Sequence, residues 1–497
     1  MIKVRDFFPR QISRWNLWRK SLDKGIFSFL KHGTRYVSGN FLSAGIVFLA
    51  MPIYTRLLTP SDYGCLALFN TASSILGVII GLQMYGAIGR YYFENENDYS
   101  EYLGTNLILI AVLITVQLFF LWVFRSYIMS LVGLKEHLFY LLMITSTLPL
   151  FISIYLGLLV AQRESYKYTL LNFVRASLIV TLSIVLMKNM SSERYLGAIY
   201  AQTIIVGFLG VYCLFMLLRH AKFKLKATHV TYSLRYNLPF IPGALSTMII
   251  SYYDRILISN LSNTTNAGLY SIAFNIAVLL SLVYNGLFGI WVPSFIEAMR
   301  DQQYEGIKKL LSIFTAIVLF VGMTLAIFSK EIIFIMASKD YSGAEKIIPI
   351  IVLGFILKYV ADIYSNFCSY RKEKIFINSL NITVVCGLGL AMNYILIPKF
   401  GYTIAAFTMA ISAFMLTLLN YLNVRFLLRE NIFQLKLFLN KILIAGVYYS
   451  LCFLIFNSIE NYFALFLIKV LAVLVWFYIV FVKGKMCARV WQNWTVT

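Results

Sequence analysis

Two charged residues stand inside an apolar run. The stretch from 238 to 260, LPFIPGALSTMIISYYDRILISN, is long enough to cross a bilayer yet carries Asp254 and Arg255. An ionised side chain in hydrocarbon costs about 2.5–3.5 kcal/mol on insertion scales, so chains keep one chiefly where it faces a protein interior or a water-filled cavity. Arg175, Lys358 and Lys469 also fall within apolar runs, and Arg35, Arg56 and Arg90 lie near run ends. A guanidinium holds an oxyanion through two parallel hydrogen bonds and an ammonium acts as a point charge, so such a set can stand in for an anion's hydration. Asp254 and Asp362 are the acids placed to take up a coupling ion, H+ or Na+.

Each residue also has a plainer reading. Arg35, Arg56 and Arg90 can snorkel to the interface, and Lys469 can reach it from its run. Lys358 and Asp362, four apart, share one helix face and can neutralise each other. Asp254 and Arg255 are adjacent and diverge by about 100° on a helix, so neither serves as the other's main partner. Each needs another partner or water, which makes Arg255 the first candidate ligand and Arg175 the second. A fixed salt bridge is the plainer role for either acid.

The chain that must position these groups has 497 residues, 60% hydrophobic and 13% charged, with a mean hydropathy of +0.77. One water-soluble core cannot hide so much apolar surface. Fourteen apolar stretches follow a basic start, at 35–57, 65–90, 104–124, 138–161, 168–187, 195–218, 238–261, 267–293, 309–328, 346–369, 375–397, 402–422, 441–457 and 462–482. Each is long enough, or nearly so, for a helix to span about 30 Å of hydrocarbon. Pro52, Pro149, Pro239, Pro242 and Pro293 lie in or near these spans and bend them.

Alternate connections differ sharply in charge. About 30 Lys and Arg fall on the side of the N-terminus and about nine on the other, the asymmetry of cytoplasmic and external loops. Both termini are therefore expected in the cytoplasm. The net charge of +22 belongs to that pattern, and nucleic acid is not an expected partner. The cysteines form no CxxC pair and the four histidines no HExxH set, so no metal site is expected. Residues 1–33 interleave eight Lys and Arg with Trp15 and Trp18; the segment suits the headgroup layer or a basic tail, and lacks a cleavable signal pattern.

Phe69, Asn70, Ala72, Gly81 and Leu82 recur at one spacing as Phe274, Asn275, Ala277, Gly286 and Leu287. The expected fold is all-α and polytopic, with 14 transmembrane helices. Two six-helix lobes (34–218 and 238–422), joined by a basic linker (219–237), form a parallel repeat because six spans return the chain to its starting side. An extra hairpin (436–482) follows.

Three stretches carry a family resemblance. IYTRLLTPSDYGCLALFNT with GRYYFENEND resembles the first hairpin of polysaccharide-unit (O-antigen type) flippases of the multidrug/oligosaccharidyl-lipid/polysaccharide exporter superfamily. LPFIPGALSTMIISYYDRILISN, AGLYSIAF and WVPSF are similar to that family's central hairpin. FINSLNITVVCGLGLAMNYILIPKFGYTIAAFTMAI resembles its NxxLNYxLIPxxGxxGAA region, with Met392 and Thr403-Ile404 departing from it. The resemblance covers roughly residues 34–425. It implies alternating access around a central cationic cavity that carries undecaprenyl-diphosphate-linked oligosaccharide across the bacterial cytoplasmic membrane. It implies no enzymatic step, and it names polysaccharide polymerase and chain-length machinery as candidate partners. Arg255, Arg175, Lys358, Arg56 and Arg90 are then the candidate substrate ligands. A cation-coupled multidrug exporter of the same fold is the alternative, disfavoured by the surplus of basic over acidic intramembrane residues. A membrane polymerase or glycosyltransferase would need larger surface loops or a DxD motif.

Overall fold

The computed structural model describes residues 42–483 except 83, 239–240, 303, 372–374 and 430–431. The basic segment 1–33, Arg35, Pro239, Lys372, Lys374, Lys485 and Arg489 lie outside the described residues. Among those described, the regular elements are helices. The first lobe runs α1 (Leu42–Leu57), α2 (Pro60–Gly81), α3 (Met84–Glu94), α4 (Tyr99–Val123), α5 (Arg125–Val132), α6 (Phe139–Ala161), α7 (Ser165–Asn189) and α8 (Tyr195–His220). Linker helix α9 (Ala227–Asn237) leads into the second lobe, α10 (Ile241–Leu261), α11 (Thr264–Ala277), α12 (Leu279–Asp301), α13 (Tyr304–Ile327), α14 (Ser329–Met336), α15 (Ile348–Tyr370), α16 (Ile375–Phe400) and α17 (Ile404–Leu422). The extra hairpin is α18 (Leu435–Asn457) and α19 (Tyr462–Phe477).

Among the described residues, twelve spans are long and apolar enough to cross a membrane on those grounds alone. The expected fourteen would need α1 and α10 as well. The first is described only from Leu42, and Asp254 and Arg255 dilute the apolar run of the second.

The lobes repeat each other's irregularities. In both, the third span stops at a phenylalanine, Phe124 (φ −94°, ψ 16°) or Phe328 (φ −92°, ψ 15°), and an eight-residue helix follows. The second span is interrupted in both, at Leu82 (φ 42°) and at Val278. The spacing from Phe124 to Phe328 also separates Pro60 from Thr264 and Gly64 from Gly268. It is one residue shorter than the spacing from Phe69 to Phe274. The sequence echo thus finds the paired helices but misses their register, because apolar identities between helices carry little information on which face they occupy.

The lobes join at the end opposite the basic loops. Helix α2 starts in a capping box: Thr59 Oγ1 accepts from the Asp62 amide at 3.1 Å, Asp62 Oδ2 accepts from the Thr59 amide at 3.4 Å, and Pro60 fills the first turn. Asn263 caps α11 by accepting from the Asn266 amide at 2.8 Å. Caps of this kind contribute about 0.5–2 kcal/mol each. The two capped ends cross, with the Ser61 and Thr264 hydroxyls 2.7 Å apart. At the crossing, a Cβ on Gly64 would run into the Thr264 carbonyl oxygen and one on Gly268 into that of Pro60. Thr55 donates to the Met336 carbonyl at 2.9 Å and Tyr341 to the Leu58 carbonyl at 3.0 Å. The connection near Ser329–Glu345 therefore belongs to the lobe contact.

At the basic end, α9 is fastened to the first lobe. His229 Nε2 lies 2.7 Å from Asp98 Oδ2, Lys226 Nζ lies 3.0 Å from Asp98 Oδ1 and 2.6 Å from Glu101, and Tyr102 and Ser233 share a 2.6 Å hydrogen bond. Tyr91 and Tyr102 stack beneath, their ring centroids 3.7 Å apart. Hydrogen bonds from Lys226 and then His229 hold the Asp98 carboxyl at about 2, below its usual 3.8. A depressed folded-state value means the carboxylate's contribution is present above the unfolded pKa and lost as pH falls through about 2. Hydrogen-exchange protection in α9, taken relative to the intrinsic rate at each pH, should therefore hold steady from neutral pH to about 4 and fall in the Asp98→Asn variant already at neutral pH.

The hairpin is bolted to the second lobe from within the apolar layer. Lys469, expected to reach the interface, is buried and meets both oxygens of Glu331 on α14, at 2.7 and 2.9 Å. Trp476 Nε1 donates to the Leu319 carbonyl at 3.2 Å. Removing one member of a buried pair leaves an uncompensated charge, at a cost of about 3–5 kcal/mol. Lys469→Met should lower the thermal melting midpoint, and Lys469→Met with Glu331→Gln should recover most of the loss.

Candidate functional site

Helix α10 carries Asp254 and Arg255 into surroundings formed by α11, α16 and α17. Asp254 is buried and accepts from Tyr270 Oη at 2.8 Å and from Asn393 Nδ2 at 2.6 Å. Thr408 in turn donates to Asn393 Oδ1. Beside the carboxylate lies a cavity of about 20 Å3, lined among others by Gly389, Asn393, Thr408 and Ser412. It has room for about one water or ion. Asp254, Asn393, Thr408 and Ser412 offer it hard oxygens that suit a proton or a small cation, alongside the sulfurs of Cys386 and Met409.

Arg255 turns the other way and is 3% exposed. Its guanidinium lies 4.4 Å from the Phe274 ring centroid and 5.2 Å from that of Tyr252, and Nη1 donates to the Ser251 carbonyl at 3.0 Å. Cation–π contacts of this desolvated kind contribute about 2 kcal/mol. No carboxylate pairs with Arg255 among the described residues. One residue after Phe274, Asn275 donates to Tyr63 of the first lobe at 2.9 Å, and the Tyr63 ring meets Tyr341 edge-on at 6.1 Å. Arg255 therefore packs on the residue next to one that bonds across the lobe contact.

The other cations occupy different depths. Arg175 is half-buried on α7, its Nη2 3.3 Å from Asn172 Oδ1, with no ion pair among the described residues. Lys358 donates to both oxygens of Asp362, at 3.0 and 2.9 Å. That pair heads a polar stripe on α15 continued by Ser365 and Asn366, and Asn378 of α16 donates to Ser365 at 2.6 Å. Arg56 is exposed at the end of α1 away from the basic loops. Arg90 is exposed on α3 at the basic end, 2.5 Å from Glu94 and 5.1 Å from the Tyr236 ring centroid. At a rise of 1.5 Å per residue, Arg175 and Lys358 lie roughly 15 Å inside their helices and Arg255 roughly 9 Å from the C-terminal end of α10. The five cations form a series in depth, not a single cluster.

Sequence reasoning did not anticipate Tyr270, Asn393 and Thr408 around Asp254, or the bond between Tyr63 and Asn275 across the lobe contact. Tyr270 and Asn393 stand within stretches that carry the family resemblance, AGLYSIAF and AMNYILIP, but nothing in a one-dimensional pattern points them at one carboxylate.

A family model described as polysaccharide biosynthesis protein matches residues 29–299, more than half of the chain. The succinoglycan biosynthesis transport protein ExoT of Rhizobium meliloti is 22% identical over 353 residues, covering 68% of this chain and 69% of that protein. The "Probable low-salt glycan biosynthesis flippase Agl15" of Haloferax volcanii is 22% identical over 383 residues, covering 75% of this chain and 78% of its own. Among solved structures, the lipid II flippase MurJ in an inward closed conformation superposes with a TM-score of 0.65 at 16% identity, over 90% of this chain and 97% of that one. The chain thus has a flippase-like transporter fold in a multi-pass membrane protein, and it belongs to the polysaccharide biosynthesis protein family.

Proposed function

We propose that this protein flips undecaprenyl-diphosphate-linked oligosaccharide from the inner to the outer leaflet of the bacterial cytoplasmic membrane, for surface polysaccharide or O-antigen assembly. The observation that carries the reading is a series of cations at successive depths, of which Arg175 and Arg255 have no carboxylate partner among the described residues. A diphosphate traversing hydrocarbon needs such groups in place of water. The names of the relatives, a transport protein, a glycan flippase and a lipid II flippase, support the same substrate class. The basic end faces the cytoplasm by its charge, with both termini there. The lobes touch at the other end, so alternating access proceeds by parting that contact and closing the basic end. Asp254 binds the coupling cation or proton beside its cavity, and polymerase or chain-length proteins receive the delivered unit.

Ligand stabilisation tests the reading. Undecaprenyl diphosphate should raise the melting midpoint of the purified protein, and ethidium, a multidrug-type cation, should not. Loss of a charge-assisted hydrogen bond, about 1.5–3 kcal/mol, should weaken lipid diphosphate binding about ten- to a hundredfold in Arg175→Ala. Stabilisation by ethidium alone would favour the multidrug exporter instead.

A further inference from the structure

The buried position of Arg255 has a consequence for gating. In hydrocarbon, a guanidinium without a carboxylate is a costly group, retained where it has a use. Here it rests on Phe274 and Tyr252 and on one carbonyl. On the side of the first lobe, Tyr63 accepts a hydrogen bond from Asn275, the residue after the Phe274 whose ring holds the guanidinium. Tyr63 adjoins Gly64, the residue through which α2 crosses against α11. Parting α2 from α11 therefore breaks the Tyr63–Asn275 bond beside the Phe274 ring on which Arg255 rests.

We propose that Arg255 is the ligand-sensing element of the outer gate, hidden while α2 lies on α11 and free to take an organic diphosphate only when they separate. A ligand shifts a conformational equilibrium only by its differential affinity for the two states. An arginine accessible in one state alone supplies that difference. The diphosphate then holds the gate open, and its departure lets the guanidinium return to the aromatic faces and the lobes rejoin. This inference rests on the flippase reading, since it takes the substrate to be a lipid diphosphate. It assigns Arg255 to gate opening, whereas Arg175 and Lys358 act along the path below.

The gate can be read directly. In the full-length chain with native cysteines replaced by alanine, Ser61→Cys and Thr264→Cys place two thiols where the hydroxyls now stand 2.7 Å apart. In proteoliposomes, an oxidant cross-links them while the gate is shut, and the cross-link also certifies the fold of each variant. Farnesyl diphosphate should slow cross-linking about tenfold, and farnesol should not. Arg255→Met should cross-link readily and lose the response, and Arg255→Lys should keep part of it. A full response in Arg255→Met would overturn the inference. So would wild-type protein that is thermally stabilised by farnesyl diphosphate yet cross-links at an unchanged rate, an outcome that leaves the flippase reading standing. Absence of any binding to farnesyl diphosphate would overturn both.

Discussion

Alanine at Gly64 or Gly268 should slow the proposed transport about ten- to a hundredfold and leave the lobes apart at the end away from the basic loops. At each position the first side-chain carbon would occupy the space of a backbone carbonyl oxygen, that of Thr264 or of Pro60. A carbonyl in a capped helix end cannot swing aside as a flexible side chain does. Overpacking a close contact costs about 1–3 kcal/mol, which is about a five- to 150-fold shift against the closed gate. The cost falls on the joined conformation, because each glycine meets its carbonyl only where α2 lies on α11. The variants should therefore fold and melt near normally while the 61–264 cross-link fails to form. Normal transport with normal cross-linking would show that the crossing has room to relax.

Asp254→Asn should abolish the response of transport to an ion gradient while downhill movement of the lipid continues. The substitution preserves shape: the amide oxygen still accepts from Asn393, and the amide nitrogen can donate to the Tyr270 hydroxyl, which is free to turn. What it removes is the negative charge bordering the cavity of about 20 Å3. A small cation in a dry site depends on that charge, and breaking a buried ion pair costs about 3–5 kcal/mol, so cation affinity should fall a hundredfold or more. Proteoliposomes carrying opposed Na+ or H+ gradients should show accumulation in the outer leaflet for wild type and simple equilibration for the variant. An unchanged gradient response in Asp254→Asn would reduce Asp254 to a structural tie among α10, α11 and α16.

Much of this architecture is legible in one dimension because the bilayer imposes it. Length and hydropathy mark the spans, and Lys and Arg mark the side of each loop. Thr59-Pro60-Ser61-Asp62 writes the start of α2 into the chain, and the capping box forms as such a sequence requires. Partnerships across the bundle are less visible. Glu331 sits in what reads as a surface connection, so nothing along the chain pairs it with Lys469, more than a hundred residues later. Lys358 and Asp362 were readable as a pair because helix geometry alone brings residues four apart together. Asp254 and Arg255 were readable as divergent for the same reason. That one would find an amide and a phenol, and the other two aromatic faces, depends on how α11 and α16 lie against α10.

The most direct test is leaflet exchange by the purified chain. Vesicles containing a fluorescent undecaprenyl-diphosphate-linked sugar in both leaflets are treated with a membrane-impermeant reagent that quenches only the outer pool. With wild-type protein, nearly all of the fluorescence should be lost; Arg175→Ala and Arg255→Ala should retain close to the protected half. Wild-type vesicles that keep that half as protein-free vesicles do, although the protein is folded and correctly inserted, would contradict a flippase for lipid-linked glycan.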